Sequence, residues 1–491
     1  MSEAVYLDYA ATAPVDARVV QRMSEVLRMN LGNPAANHVS GRAAFDVVEE
    51  ARADVAALVG AEARDIVFTS GATEANNLAI EGTLLAAQRQ HPRAALQVVT
   101  LSTEHKSVLE PVRALARHGV QLTILQPDHE GRLSAESLAA ALTPQTRLAT
   151  LLHVNNETGV AQDLAALAEV CTSRGVPLHI DACQSAGKLP LDVGGIPMLS
   201  FTAHKLGGPQ GVGALYIAPG HRGYIEPMIV GGGQERGLRA GTLATHQVAG
   251  FGLACRLARE ALPGFGRRVF ALRERLRSGL SDLPGVLFNG HPSRHAPHIL
   301  NLTFAGVEGE SLFLGLPGLM LSTGSACNSA SAEPSYVLRA LGRSPQHAQA
   351  SLRFSLGAGT TETDIDTAIA AVRARHQQLW ALSPARPAPV FPDSPCGVRY
   401  LGEAGAERLG AWVRFVLQVE GGFAKAARVQ VYGCPDTVAA CGLVCGRLVD
   451  QPIAAPVIGK PEDWRMNVGA PVEKLGRMLM IEDALGALHP E

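Results

Sequence analysis

Four short runs limit what this chain can fold into: LQVVTL (96–101), LATLLHV (148–154), PLHIDA (177–182) and GVGALYI (211–217). Each is apolar and rich in branched side chains, and Gly, Pro, Asn or Asp often flank them. Runs of this kind are buried strands of a mostly parallel sheet. Helical stretches lie between them. AAFDVVEEARADVAALVG (43–60) and ALAEVCTSRG (166–175) both end at a glycine stop. Strand alternating with helix predicts an α/β domain up to about residue 380.

The pattern breaks at ALSPARPAPVFPDSP, which carries Pro384, Pro387, Pro389, Pro392 and Pro395. Proline at this density continues neither a helix nor a central strand, so 381–396 is expected to be a stiff, extended linker. The remaining 397–491 are enough for a small domain. There, AWVRFVLQVEGG and FAKAARVQVYG read as a strand pair turning at Gly421-Gly422. A helix is expected to start at Cys434-Pro435 and another, EKLGRMLMIEDALGAL, to end the chain.

A net charge of −2 gives no reason to expect nucleic acid or an anionic membrane surface as partner. No apolar run is long enough to span a bilayer, and the first residues lack the pattern of a signal peptide. The cytoplasm is the expected location. Eight cysteines in 491 residues do not form a secreted disulfide framework, so each is judged singly. Cys327 lies in STGSACNSAS (322–331), a small, polar segment unlike a core.

Lys205, in FTAHKLGGPQGVGALYI, follows Thr202 and His204 and precedes a glycine-rich turn. A lysine drawn out of water there could form a Schiff base with an aldehyde cofactor, of which pyridoxal phosphate is the usual one; the alternative is a solvated surface lysine. That cofactor needs an acid for its pyridine nitrogen and a phosphate site. Asp181 ends an apolar run, where it could be that acid or cap the next helix. Gly71, Ala72 and Thr73 open a helix, where free N–H groups favour a phosphate or Thr73 acts as a plain cap. His105 after LQVVTL could stack on a ring and pass protons or be structural. Asn155 and Asn156 could donate to a ligand or make an Asx turn. Arg353 in SLRFSLG could grip a carboxylate or form a surface ion pair.

Together these stretches resemble the cysteine desulfurases, long-loop type, which are pyridoxal-phosphate enzymes of the class-V aminotransferase family. LDYAATAP, GNPAANH, TEHKSVLEP, HVNNETGVAQD, HIDACQSAGKLPLDV, GGGQERGLRAGT and the segment around Cys327 carry the likeness, which covers nearly all of 1–380. The resemblance implies a fold-type I α/β transferase with a mostly parallel central sheet and a smaller α/β domain. It implies that Lys205 holds the cofactor, Asp181 pairs with the pyridine nitrogen, and Gln184 meets the phenolic oxygen. His105 would stack and move protons. Ala72, Thr73, Thr202 and His204 would bind the phosphate, with Thr242 reaching over in a homodimer. Arg353, Asn155 and Asn33 would bind the substrate carboxylate, and Asn155 would also face the cofactor. L-cysteine would become alanine and leave a persulfide on Cys327, for iron–sulfur assembly or other acceptors. Selenocysteine is the alternative substrate. Thr202 and Ala203 stand where serine and glycine are frequent, and the hydroxyl is kept.

Residues 397–491 resemble iron–sulfur cluster scaffold proteins, an α+β fold, through VRFVLQV, ARVQVYGCPDTVAACGLV and PVEKLGRMLMIEDALGAL. Of the family's ligand positions only Cys434 is kept. Leu409, Ala411 and Gly476-Arg477 replace the others. The resemblance leaves Cys434 as a sulfur acceptor, Cys327 and Cys434 as possible ligands of a cluster or zinc, or the whole domain as a docking or regulatory module. Cys441 and Cys445 read as core positions of an apolar helix. Cys396 sits at the linker.

Overall fold

The four apolar runs form the strands Gln97–Leu101, Thr146–Leu152, Leu178–Asp181 and Gly213–Ile217. The computed structural model describes residues 4–29, 31–323, 333–391 and 397–491. Among these, the main sheet has seven strands, in the order Ile66–Thr69, Gly213–Ile217, Met198–Thr202, Leu178–Asp181, Thr146–Leu152, Gln97–Leu101, Gln121–Leu125. The last five in that order run parallel. Gly213–Ile217 is antiparallel to both of its neighbours. Burial of a run does not encode its direction. Here the short connection from Thr202 to Gly213 leaves no room for a crossover helix, so the chain turns back.

The helices behave as their end signals predict. Val39–Leu58 stops before Gly60 (φ 72°), and Leu164–Ser173 stops before Gly175 (φ 64°). The helix Thr245–Leu280 joins two cores. Val248, Phe251 and Cys255 enter the core of the main sheet, whereas Val269, Leu272, Leu276 and Leu280 enter that of the smaller domain. In the smaller domain the antiparallel strands lie in the order Ser322–Thr323, Ser351–Ser355, Ile299–Phe304, Val286–Phe288. Val5–Tyr6 pairs with Leu319–Met320, so the start of the chain is built into this domain.

Beyond residue 397 lies an antiparallel sheet, Phe423–Tyr432, Ala411–Glu420, Val398–Ala406, His489–Pro490, with its own core of Val413, Phe415, Leu417, Val444, Trp464 and Met478. The expected strand pair is present. The expected helix runs over Pro435–Leu448 with Cys434 as its N-cap residue. One expectation needs correction. The last helix, Leu475–Gly486, does not end the chain, because His489–Pro490 pairs with Leu401 and Tyr400. The described part of the expected linker, 381–391, is docked on the C-terminal sheet. Ala381 completes the helix Glu362–Ala381, Val431 N–H donates to the Leu382 carbonyl at 2.8 Å, and Gln430 Nε2 bonds the carbonyls of Ser383, Arg386 and Pro387. Arg428 holds the Val390 carbonyl and lies over the Phe391 ring. Prolines donate no N–H to a ladder, so side chains of the sheet edge reach the carbonyls of this segment. Cys396 lies outside the described residues.

Candidate active site

The carboxyl ends of the parallel strands deliver one cavity of about 590 Å³. Asp181 and Thr202 are the last residues of their strands, and His204 and Lys205 occupy the tight turn that follows Thr202. With them, Ala72, Thr73, His105, Gln184 and Arg353 line the cavity. These nine predicted residues therefore meet although the sequence spreads them over 72–353. Asn156 also lines it, while Asn155 does not. Asn155 Oδ1 accepts from the backbone N–H groups of Glu157 and Thr158, and its Nδ2 donates to Thr103 O, so its side chain makes the Asx turn. Asn33 lies outside the cavity, its Oδ1 taken by Ala35 N–H. Thr242 is likewise outside the cavity lining. Cys327 lies outside the described residues.

Sequence reasoning missed the groups that hold this set. Asn76 Nδ2 donates to Asp181 Oδ2 at 2.9 Å and to Ser107 Oγ at 2.8 Å. Ser107 in turn holds His105 Nδ1 through both its hydroxyl and its N–H. An asparagine on the apolar face of EANNLAI was the available signal, since a polar group buried there needs a partner. Because Nδ1 accepts, the proton of neutral His105 sits on Nε2. Burial, then the charge of Lys205, lowers the His105 pKa and keeps the ring neutral. For Asp181, burial pushes the pKa upward, but hydrogen bonds from Cys183 and the charge of Lys205 outweigh it, so the carboxylate stays ionised below its ordinary range. His204 is lowered to about 4, chiefly by burial, with Lys205 adding to the effect.

Arg353 is almost fully buried and already braced. Nη2 bonds Asp8 Oδ1 at 2.7 Å and Ser322 Oγ at 2.9 Å, and Nη1 bonds Asn156 O at 2.9 Å. Ser322 Oγ also donates to Asp8. A guanidinium fixed this way keeps a rigid fork for a carboxylate. The ion pair it makes, with Asp8, is buried on the arginine side and not at the surface.

Residues 5–367 match the family model Aminotransferase class-V. The chain is 47% identical over 383 residues to cysteine desulfurase IscS of Methylococcus capsulatus, covering 77% of this chain and 94% of that protein. The chain belongs to the cysteine desulfurases. Among solved structures, a NifS-like protein superposes with a TM-score of 0.70 at 31% identity, over 77% of this chain and 100% of the other. The structure described as SspA in complex with cysteine gives 0.64 at 35% identity, over 72% and 98%. The desulfurase is a pyridoxal-phosphate enzyme.

The cavity fits that cofactor. The helix Ala72–Gln90 begins after Gly71 without a side-chain cap, so the N–H groups of its first turn remain to meet an anion. A Cβ on Gly213 would stand 2.7 Å from Gly71 Cα, which shows how tightly strand and anion loop are pressed together. At the other end of the cavity the ionised Asp181 suits a protonated pyridine nitrogen.

In the C-terminal domain, Cys434 is buried, with Sγ 3.3 Å from Thr437 Oγ1. Lys474 reaches both this thiol and Glu310 Oε2, the latter at 3.6 Å. Cys441 is fully buried in the core, and burial pushes the partly buried Cys445 up to about 11. Among the described residues no group of three His, Cys, Asp or Glu side chains is placed to hold a metal ion. Nor is any helix among them long and apolar enough to cross a membrane.

Proposed function

We propose that the desulfurase converts L-cysteine to alanine through a persulfide on Cys327, with residue roles set by the cavity. The observation that carries this reading is the convergence of Lys205, Asp181, His105, Gln184 and Arg353 on one wall-to-wall site. When bound through Lys205, pyridoxal phosphate supplies an electron sink that labilises the substrate's Cα–H and C–S bonds. Asp181 keeps a proton on the pyridine nitrogen. Gln184 donates to the ring oxygen. Ala72, Thr73, Thr202 and His204 hold the phosphate, with Thr242 of the partner subunit in a homodimer. Arg353 orients the substrate carboxylate, and His105 moves a proton at Nε2. The Cys327 thiolate attacks the substrate sulfur and a sulfur–sulfur bond forms. The C–S bond breaks, its electron pair stays with the carbon skeleton, and that skeleton takes up a proton and leaves as alanine.

The test uses two variants. Lys205→Ala is expected to lose the yellow colour of the bound cofactor. Cys327→Ala is expected to keep it while losing sulfide release from L-cysteine in the presence of a thiol reductant. Sulfide release by Cys327→Ala would sink the persulfide mechanism. Comparing turnover of selenocysteine in the same variants separates the alternative substrate.

For 397–491, we propose a scaffold-like sulfur acceptor that has lost its family's ligand set. The antiparallel sheet with helices on one face supports this. So does Arg477, whose Nη1 bonds Leu409 O at 3.2 Å, joining two of the replaced ligand positions. Cys434, next to Lys474, which also reaches Glu310 of the desulfurase body, is the first acceptor. Its sulfur then serves iron–sulfur assembly. Mapping persulfide after incubation with L-cysteine tests this: sulfur found on Cys327 and never on Cys434 leaves the domain as a docking module.

A further inference from the structure

Three groups surround the side-chain amide of Gln184. Its Oε1 accepts from Lys188 Nζ at 3.3 Å and faces His298 Nε2 at 3.4 Å. Its Nε2 donates to Ala10 O at 2.7 Å. Lys188 comes one helical turn after Gln184, in a stretch where Leu189 N–H bonds Ser185 O and Ala186 N–H bonds Ala182 O, so the two side chains share a face. Lys188 is buried, with no carboxylate partner among the described residues, and it also lines a second cavity of about 340 Å³ together with Lys205.

An amide can sit in its slot two ways. The observed way places the oxygen toward two N–H donors and an N–H toward a carbonyl. The flipped way would set the NH₂ group against the Lys188 amine and His298, and the amide oxygen against the Ala10 carbonyl. We propose that Lys188 is a positioning residue: it locks the Gln184 amide so that the group presented to the cofactor's ring oxygen is an N–H donor and never a carbonyl. His298 assists with the proton on Nε2, since its Nδ1 is buried without a hydrogen-bond partner among the described residues. Burial, then the charge of Lys205, lowers Lys188 to about 7, which shows that placing an amine here is unfavourable for the fold alone. Neutral or charged, the amine keeps an N–H for Gln184.

The inference rests on the reading of Gln184 as donor to the cofactor, so both are tested in one cycle. Apoprotein of the wild type, Gln184→Ala, Lys188→Met and the double variant is titrated with pyridoxal phosphate, and apoprotein melting is recorded beside it. Lys188→Met is expected to weaken cofactor binding about three- to tenfold, the range of one hydrogen bond. Its melting temperature should equal or exceed the wild type's, because a costly buried amine is gone. In the Gln184→Ala background the same substitution should add nothing. An equal loss in both backgrounds, or no loss in Lys188→Met, overturns the positioning role. No loss in Gln184→Ala alone overturns the reading of Gln184 first. If Lys188→Met does not fold, Lys188→Gln, which keeps a donor, takes its place. It is expected to bind within about twofold of the wild type, and a larger loss that persists without Gln184 overturns the proposal.

Discussion

Breaking the ion pair Arg52–Glu235 should destabilise the main domain and loosen the cofactor loop together. Arg52 Nη1 and Nη2 bond Glu235 Oε2 and Oε1 at 2.7 and 2.8 Å, and Phe68 N–H donates to Oε2 at 2.7 Å. The two side chains are only 4% and 2% exposed. Removing one partner of such a pair costs about 3–5 kcal/mol, of which an orphaned Phe68 N–H accounts for about 1–3 kcal/mol. The clamp also holds Glu235 and Arg236 at φ 49° and 59°, backbone that these residues rarely adopt unaided. Phe68 leads directly into Ser70 and Gly71 of the cofactor cavity. Glu235→Ala should therefore lose about 4 kcal/mol and bind pyridoxal phosphate more weakly. The exposed pair Arg113–Glu110, 48% and 57% exposed, is the control, and Glu110→Ala should lose under about 1 kcal/mol. The double variant Arg52→Met/Glu235→Leu should recover part of the loss, because it leaves no charge buried alone. Urea unfolding is best followed by circular dichroism. Trp380, Trp412 and Trp464 all lie outside the main domain, so their fluorescence reports on other units. A Glu235→Ala midpoint equal to that of Glu110→Ala would refute the reasoning.

Gly213→Ala would bring a methyl group to 2.7 Å from backbone atoms of Gly71, so the anion loop must move. It should cost about 1–3 kcal/mol and release cofactor on dialysis, which absorbance of the retained protein checks. Glu157 is buried, and burial raises its pKa to about 7 despite a hydrogen bond from Ser335 and the charge of Arg353. Its unfolded value is near 4.5, so the folded state binds the extra proton. Stability from this group is present below pH 4.5 and is lost as pH rises through 7, by up to about 3 kcal/mol. Glu157→Gln should flatten that part of the profile, and an unchanged slope between pH 4.5 and 7 would count against it.

The motifs around Ala72, His105, Asp181 and Lys205 were legible because each places its chemistry at the end of a local strand or at a helix start. The groups that brace them were not. Gln184 meets His298, and Asp8 meets Arg353, only after the fold joins segments far apart in sequence. Asn155 pointed to a ligand on its motif, whereas its environment offers three donors for one oxygen and closes a turn. The strand Val398–Ala406 was passed over because GEAGA interrupts its alternation, and its nine-residue pairing with Ala411–Glu420 supplies what propensity lacks. The helix Pro461–Val468 was passed over because eight residues give little periodicity.

The docked linker has a consequence for traffic around the enzyme. Ser311 Oγ donates to Gly433 O at 2.8 Å, and Lys474 reaches Glu310, so the C-terminal domain occupies the helix Gly309–Leu314 of its own chain. A tethered domain faces its site at an effective concentration on the order of millimolar. Any outside protein seeking this helix must displace an occupant that never diffuses away, and only one that binds far more tightly, or that docks elsewhere, can draw sulfur from the enzyme.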